Sequence, residues 1–79
     1  QEDGRLKLSE TQIGKTYTVD RINLKTNVRR RFEILGMTGS AAVTVMNKKR
    51  GGAMIIRVRG TRFAIGREFA EGIIVGGEL

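Results

Sequence analysis

Apolar and polar positions alternate most clearly over residues 50–65, RGGAMIIRVRGTRFAI, which predict two strands joined by a tight turn. With Gly60 and Thr61 as the loop residues, Arg59 faces Arg62, Val58 faces Phe63, Arg57 faces Ala64 and Ile56 faces Ile65. Successive side chains of a strand point to opposite faces. This register therefore turns Ile56, Val58, Phe63 and Ile65 inward and Arg57, Arg59 and Arg62 outward. Gly60 at the first loop position suits a type II′ turn, which needs positive φ there. Two arginines directly opposite each other repel, so the turn end is either a basic surface that stability alone does not explain or simply a splayed and solvated end.

Shorter pieces complete the pattern. Ser9 and Gln12 have capping-box spacing, Leu8 and Ile13 have hydrophobic-staple spacing, and Gly14 ends this single helical turn. Residues 15–24 form a strand in which Tyr17 and Val19 share one parity and Ile22 and Leu24 the other. A bulge near Asp20-Arg21 reconciles the halves, because one extra residue switches faces. Residues 25–36 form a helix with Asn27 as N-cap and Val28, Phe32 and Leu35 at i, i+4 and i+7. Gly36 supplies the left-handed residue after that helix and Met37 the apolar contact of a Schellman ending. Glu33 can pair with Arg29 one turn earlier.

A turn at Thr38-Gly39-Ser40 precedes a strand over 41–47 with Val43 and Val45 inward. Lys48, Lys49, Arg50, Gly51 and Gly52 make a basic loop. After the hairpin, residues 66–72 hold one helical turn and 73–75 a last strand. The expected core is Val28, Phe32, Leu35, Val43, Val45, Ile56, Val58, Phe63 and Ile65. Residues 1–7 are expected to be unstructured or extraneous to the domain, residues 8–75 to form one domain, and residues 76–79 to fray. The fold class is mainly β: a small, SH3-like, partly open antiparallel barrel of about five strands with one inserted α-helix. Closing it requires residues 73–75 to pair with residues 17–22.

Size and composition narrow the function. Seventy-nine residues allow one domain with a small core, and 39% hydrophobic content is enough to fold it. The chain has no Cys and no His. That removes disulfides, thiol nucleophiles and thiolate metal sites, and with them the commonest general base and transition-metal ligand. No apolar run approaches the ~20 residues that span a bilayer. A cytoplasmic protein is the plain expectation. The net charge of +7 either marks an acidic partner or merely keeps a small domain soluble, and composition alone does not choose between them.

Candidate chemistry follows from these limits. Glu68 and Glu71 have i, i+3 spacing but no ligand cluster beside them, so they read as surface charges and not as a metal or acid–base pair. No phosphate-loop or dinucleotide fingerprint is present. Catalysis is not expected, nor is a cofactor. The basic residues are the stronger signal: Lys48, Lys49 and Arg50 in the loop, Arg57, Arg59 and Arg62 on the hairpin, and Arg29 to Arg31 on the helix. Nucleic-acid binding would want aromatics among them to stack bases. Aromatic residues are only 5%, and the phenylalanines are claimed by the core. Protein binding is therefore favoured over nucleic acid. Ile55 and Met46, with Met37, could add an exposed apolar patch, with Ile55 as its anchor.

With these elements placed, the chain resembles the FeoA family. The resemblance rests on Leu8-Ser9 and Ile13-Gly14, on Arg30-Arg31-Phe32-Glu33-Ile34-Leu35-Gly36-Met37, and on Val58-Arg59-Gly60-Thr61-Arg62-Phe63-Ala64-Ile65. Thr38-Gly39-Ser40 departs from the proline–glycine turn common in the family. The resemblance implies a non-catalytic cytosolic protein of bacterial ferrous iron uptake, without direct iron binding. Its implied partner is the cytosolic part of a FeoB-type membrane GTPase permease, met at the inner face of the plasma membrane. The contact candidates are Arg57, Arg59, Arg62, Lys48, Lys49, Arg50 and Ile55, with Gly36 and Gly60 as turn glycines. Replacing Arg59 and Arg62 together by glutamate is expected to leave folding intact. Two alternatives are a small basic nucleic-acid-binding barrel and a detached SH3-like domain of an iron-dependent repressor. A short edge strand leaves homo-oligomers open.

Overall fold

Two compensating bulges let one strand, β2 (Thr16–Ile22), hold both halves of the molecule together. In the computed structural model, which describes residues 5–79, β2 pairs with β3 (Ala42–Lys48) on one side and with β6 (Ile73–Glu78) on the other. Against β6 the register shifts between Tyr17 and Val19 and again between Val19 and Arg21. The second shift is the bulge expected at Asp20-Arg21. It turns Ile22 inward beside Val19 and Tyr17 although its parity differs, and all three are buried.

The remaining elements are β1 (Leu6–Lys7), a 3₁₀ turn (Leu8–Glu10), α1 (Thr26–Ile34), β4 (Met54–Val58), β5 (Thr61–Ile65) and α2 (Arg67–Gly72). The six strands form one open antiparallel sheet in the order β1-β6-β2-β3-β4-β5. Its inner face buries Tyr17, Val19, Val43, Val45, Ile56, Val58, Ile73 and Val75, with Leu8 and Met54 among the fully enclosed side chains. β6 pairs with β2 over the predicted stretch and so draws the two ends of the chain together.

Three expectations about the ends are revised. Leu6 and Lys7 lie in the segment expected to be unstructured, yet they pair with Val75 and Ile74. β6 does not stop at Val75: it continues to Glu78, and the Leu79 amide donates to the Thr16 carbonyl at 2.7 Å. The Leu8–Ile13 staple is absent. Leu8 is enclosed whereas Ile13 is exposed, and the first turn is capped instead by Glu10, which accepts from the Lys7 amide at 2.9 Å.

α1 ends as its sequence predicts and begins differently. The Gly36 amide donates to the Glu33 carbonyl and the Met37 amide to the Phe32 carbonyl, at 3.0 and 2.9 Å. With Gly36 at φ 105 this is the Schellman pair of bonds. Asn27 is not the N-cap. The helix starts at Thr26, and Lys25 holds the boundary without a side-chain cap.

Candidate functional site

The β4–β5 hairpin turns at Arg59-Gly60, one residue earlier than the predicted loop. Val58 pairs with Thr61, Arg57 with Arg62, Ile56 with Phe63, Ile55 with Ala64 and Met54 with Ile65. Arg59 and Gly60 both have positive φ, 52° and 81°, the signature of a type I′ turn in place of type II′. Partners therefore differ from those expected, but the offset is two residues, so the faces survive. Ile56 and Val58 are enclosed, Ile65 is buried and Phe63 is half-buried, while Arg57 and Arg62 are exposed.

The three hairpin arginines do not act together. Arg57 and Arg62 are directly opposite on the outer face, and neither has an ion-pair partner among the described residues. They continue a row of polar side chains across four strands, since Arg57 pairs with Thr44 and Thr44 with Thr16. The two threonine hydroxyls lie 2.9 Å apart. Arg59 belongs to the fold. Its Nε donates to the Gly36 carbonyl at 3.1 Å, so its cation caps the C-terminal, negative end of α1. A Cβ built on Gly36 would sit 2.6 Å from the Arg59 Cδ. Gly36 is thus required twice, by its backbone angle and by the arginine lying across it.

The basic loop stands at the other end of β4. Its backbone is closed by the Lys49 amide on the Ala53 carbonyl at 2.7 Å and the Gly52 amide on the Lys49 carbonyl at 3.1 Å. The four residue steps from Met54 to Val58 put ~13 Å between the ends of this strand. The loop cations and the hairpin tip therefore do not merge into one patch. Lys49 and Arg50 are exposed. Lys48 is half-buried and its Nζ donates to the Ser9 carbonyl at 3.2 Å. The cause is a bulge at Met46: β3 pairs Val45 with Ile56 but Asn47 with Ile55, which turns Lys48 toward the inner side. Met37 is fully enclosed, so it forms no patch with Met46 and Ile55, both half-buried.

A groove of about 290 Å³ takes the place of that patch. It runs between α1 and β5, lined by Val28, Arg31, Phe32, Leu35, residues 63–66 and Phe69. Leu35 was expected in the core but is 46% exposed on the wall of this groove, where Phe32 of α1 and Phe69 of α2 meet edge-on at 5.7 Å. Val28 and Phe63 are half-buried against the core. Ile34, the last residue of α1, is 85% exposed. Glu68 and Glu71 are exposed, and Glu71 pairs with Arg67 at 3.4 Å. Among the described residues no cluster of three His, Cys, Asp or Glu could hold a metal ion, and no helix is long and apolar enough to cross a membrane.

Comparison with known proteins places this geometry. The family model described as FeoA domain matches residues 6–76. A crystal structure of an iron uptake regulatory protein, FeoA, is 33% identical, with 95% of this chain and 97% of that chain covered and a TM-score of 0.82. The FeoA protein of Chlorobium tepidum is 30% identical over 90% of this chain and 69% of that chain, with a TM-score of 0.84. A zinc complex of FeoA from Stenotrophomonas maltophilia is 27% identical over 89% and 88% of the two chains, with a TM-score of 0.76. That protein is described as a prokaryotic SH3 domain protein and a candidate activating factor of ferrous iron transport. No curated protein matches the chain.

Proposed function

The chain belongs to the FeoA family, which is associated with ferrous iron transport, and we propose that it is a non-catalytic accessory protein that docks on the cytosolic part of a FeoB-type GTPase permease. The observation that carries this reading is the Arg57–Arg62 pair. Two like charges held opposite each other on a hairpin cost stability. Among the described residues they have no neutralising carboxylate, whereas Arg29 and Arg67 on the helices each have one. A surface of this kind suits an acidic protein face, which would neutralise both at once.

The outer face of the hairpin carries Ile55, Arg57, Arg62 and Ala64 and no aromatic ring; Tyr17 is buried, and the three phenylalanines are buried or line the groove. Base stacking therefore has no platform there. Titration of the purified cytosolic permease domain tests the proposal. Binding should weaken with salt and fall at least tenfold when Arg57 and Arg62 are both replaced by serine. Absence of binding at tens of micromolar, in either nucleotide state, would remove it.

A further inference from the structure

We infer that β5 is an acceptor edge for strand addition, and that its ligand is an extended protein segment in which large apolar residues alternate with acidic ones. The inference rests on the reading that this chain works by protein contact, and it specifies the chemistry of what is contacted.

The edge is open. Among the described residues β5 ends the sheet and pairs only with β4. Because the hairpin turns on two residues, the flanking pair Val58–Thr61 is hydrogen-bonded, and bonded and non-bonded pairs alternate from there. Ile56–Phe63 and Met54–Ile65 are then bonded pairs, whereas Arg57–Arg62 and Ile55–Ala64 are not. It follows that Arg62 and Ala64 direct their backbone N–H and C=O groups away from β4. Both residues are exposed, and among the described residues no other segment bonds to those groups.

The opposite margin of the sheet differs. β1 is two residues long, and α2 and the 3₁₀ turn pack against it. Short or covered edges are the usual protection against unwanted pairing. β5, five residues long, lacks it.

The surroundings of β5 specify the ligand. A strand laid beside it inherits its pleat, so alternate side chains fall on opposite faces. On the inner side they meet the groove, where Phe63, Ile65, Phe69 and Leu35 offer an apolar seat. On the outer side they meet Arg62, with Arg57 one strand further in. One parity must therefore be apolar and the other acidic. Arg31 at the groove adds a further unpaired cation among the described residues. A second copy of this chain fits poorly, because antiparallel pairing of two β5 edges brings the Arg62 residues together, opposite or diagonal to each other.

The pairing geometry also says which ligand nitrogens are used. The ligand strand runs antiparallel to β5; directly opposite residues then share a face and exchange both backbone bonds, so the ligand residues that bond to Arg62 and Ala64 are the acidic ones. The probe is an eight-residue, end-blocked peptide alternating leucine with glutamate, titrated into the isotope-labelled 79-residue chain. Saturable shifts centred on the Arg62 and Ala64 amides are expected, with slowed exchange of both. Methylating the glutamate nitrogens should weaken binding at least tenfold, methylating the leucine nitrogens should leave it within threefold, and Arg62→Glu should also weaken it at least tenfold. Equal binding by both methylated peptides, shifts confined to β1 or to the basic loop, or no saturation by several millimolar would each overturn the inference. Titrating the permease domain into the same labelled chain separates the two readings. Shifts around Arg57 that leave the Ala64 amide unmoved would keep permease docking and end strand addition. Peptide binding without permease binding would do the reverse.

Discussion

The tip and the body of the β4–β5 hairpin carry the same side chain and use it in opposite ways. At the tip, Arg59 accepts a left-handed backbone, φ 52°, and lays its guanidinium on the Gly36 carbonyl just past the C-terminal end of α1. In the body, Arg57 and Arg62 keep ordinary strand positions and touch no opposite charge among the described residues. A non-glycine residue in that region costs ~1–2 kcal/mol, which the cap at Gly36 offsets in part. Like-charged neighbours cost something as well, and among the described residues no carboxylate offsets it. The difference shows that an arginine's role here is set by what lies within reach of it and not by its place in a basic run.

Substitutions can break this contrast at points of decreasing weight. Gly36→Ala forces a side chain into both the positive φ and the Arg59 methylenes. It should destabilise the domain by ~2 kcal/mol or more, read as a lower denaturation midpoint. Arg59→Glu removes the cap and sets a negative charge at the negative end of α1, costing ~1 kcal/mol while the outer face keeps its two arginines. This replaces the tolerance expected from the predicted register. Arg62→Glu should do the opposite. Facing Arg57, it exchanges repulsion for attraction and raises stability by ~0.2–1 kcal/mol in thermal unfolding, yet it weakens partner binding.

The smallest effect lies outside the hairpin, in an exposed pair that has neither role. Lys15 donates to Glu78 at 3.0 Å, and the hydrogen bond and charge of that carboxylate raise the lysine pKa above its ordinary 10.5. Its stabilising contribution is present at neutral pH and is lost as the pH climbs through the raised folded value. A Glu78→Gln variant should therefore match the parent in alkaline unfolding above that value and trail it slightly at neutral pH.

How much of this was legible depends on what alternation can distinguish. Val43, Val45, Ile56 and Val58 could be placed because a two-residue period marks a face, and all four are enclosed. The hairpin register could not be fixed the same way. Loops at 59–60 and 60–61 differ by two in pairing and give identical faces, and Gly60 serves a type I′ turn as its second residue and a type II′ turn as its first. Lys48 was misplaced by one unpaired residue, Met46, that no composition rule marks. Leu35 was misplaced because its exposure depends on the gap between α1 and β5, a tertiary distance that helical spacing does not contain. The split of the basic residues across the two ends of β4 was hidden for the same reason. The Gly36-Met37 ending was visible, since it follows from local backbone chemistry alone.

The bulged pairing of β2 has a consequence for how so short a chain finds one arrangement. Six strands of two to seven residues could dock in many neighbouring alignments of similar burial. β6 gains its extra residue between Glu78 and Val75, where Gly76 and Gly77 bend without hindrance, and β2 gains its own at Asp20. Like the teeth of a key, the two irregularities fit at one setting only. Sliding β6 by a single position would carry Val75 and Ile73 out of the core and leave both irregularities unmatched. Misaligned closure by the last strand is thereby penalised.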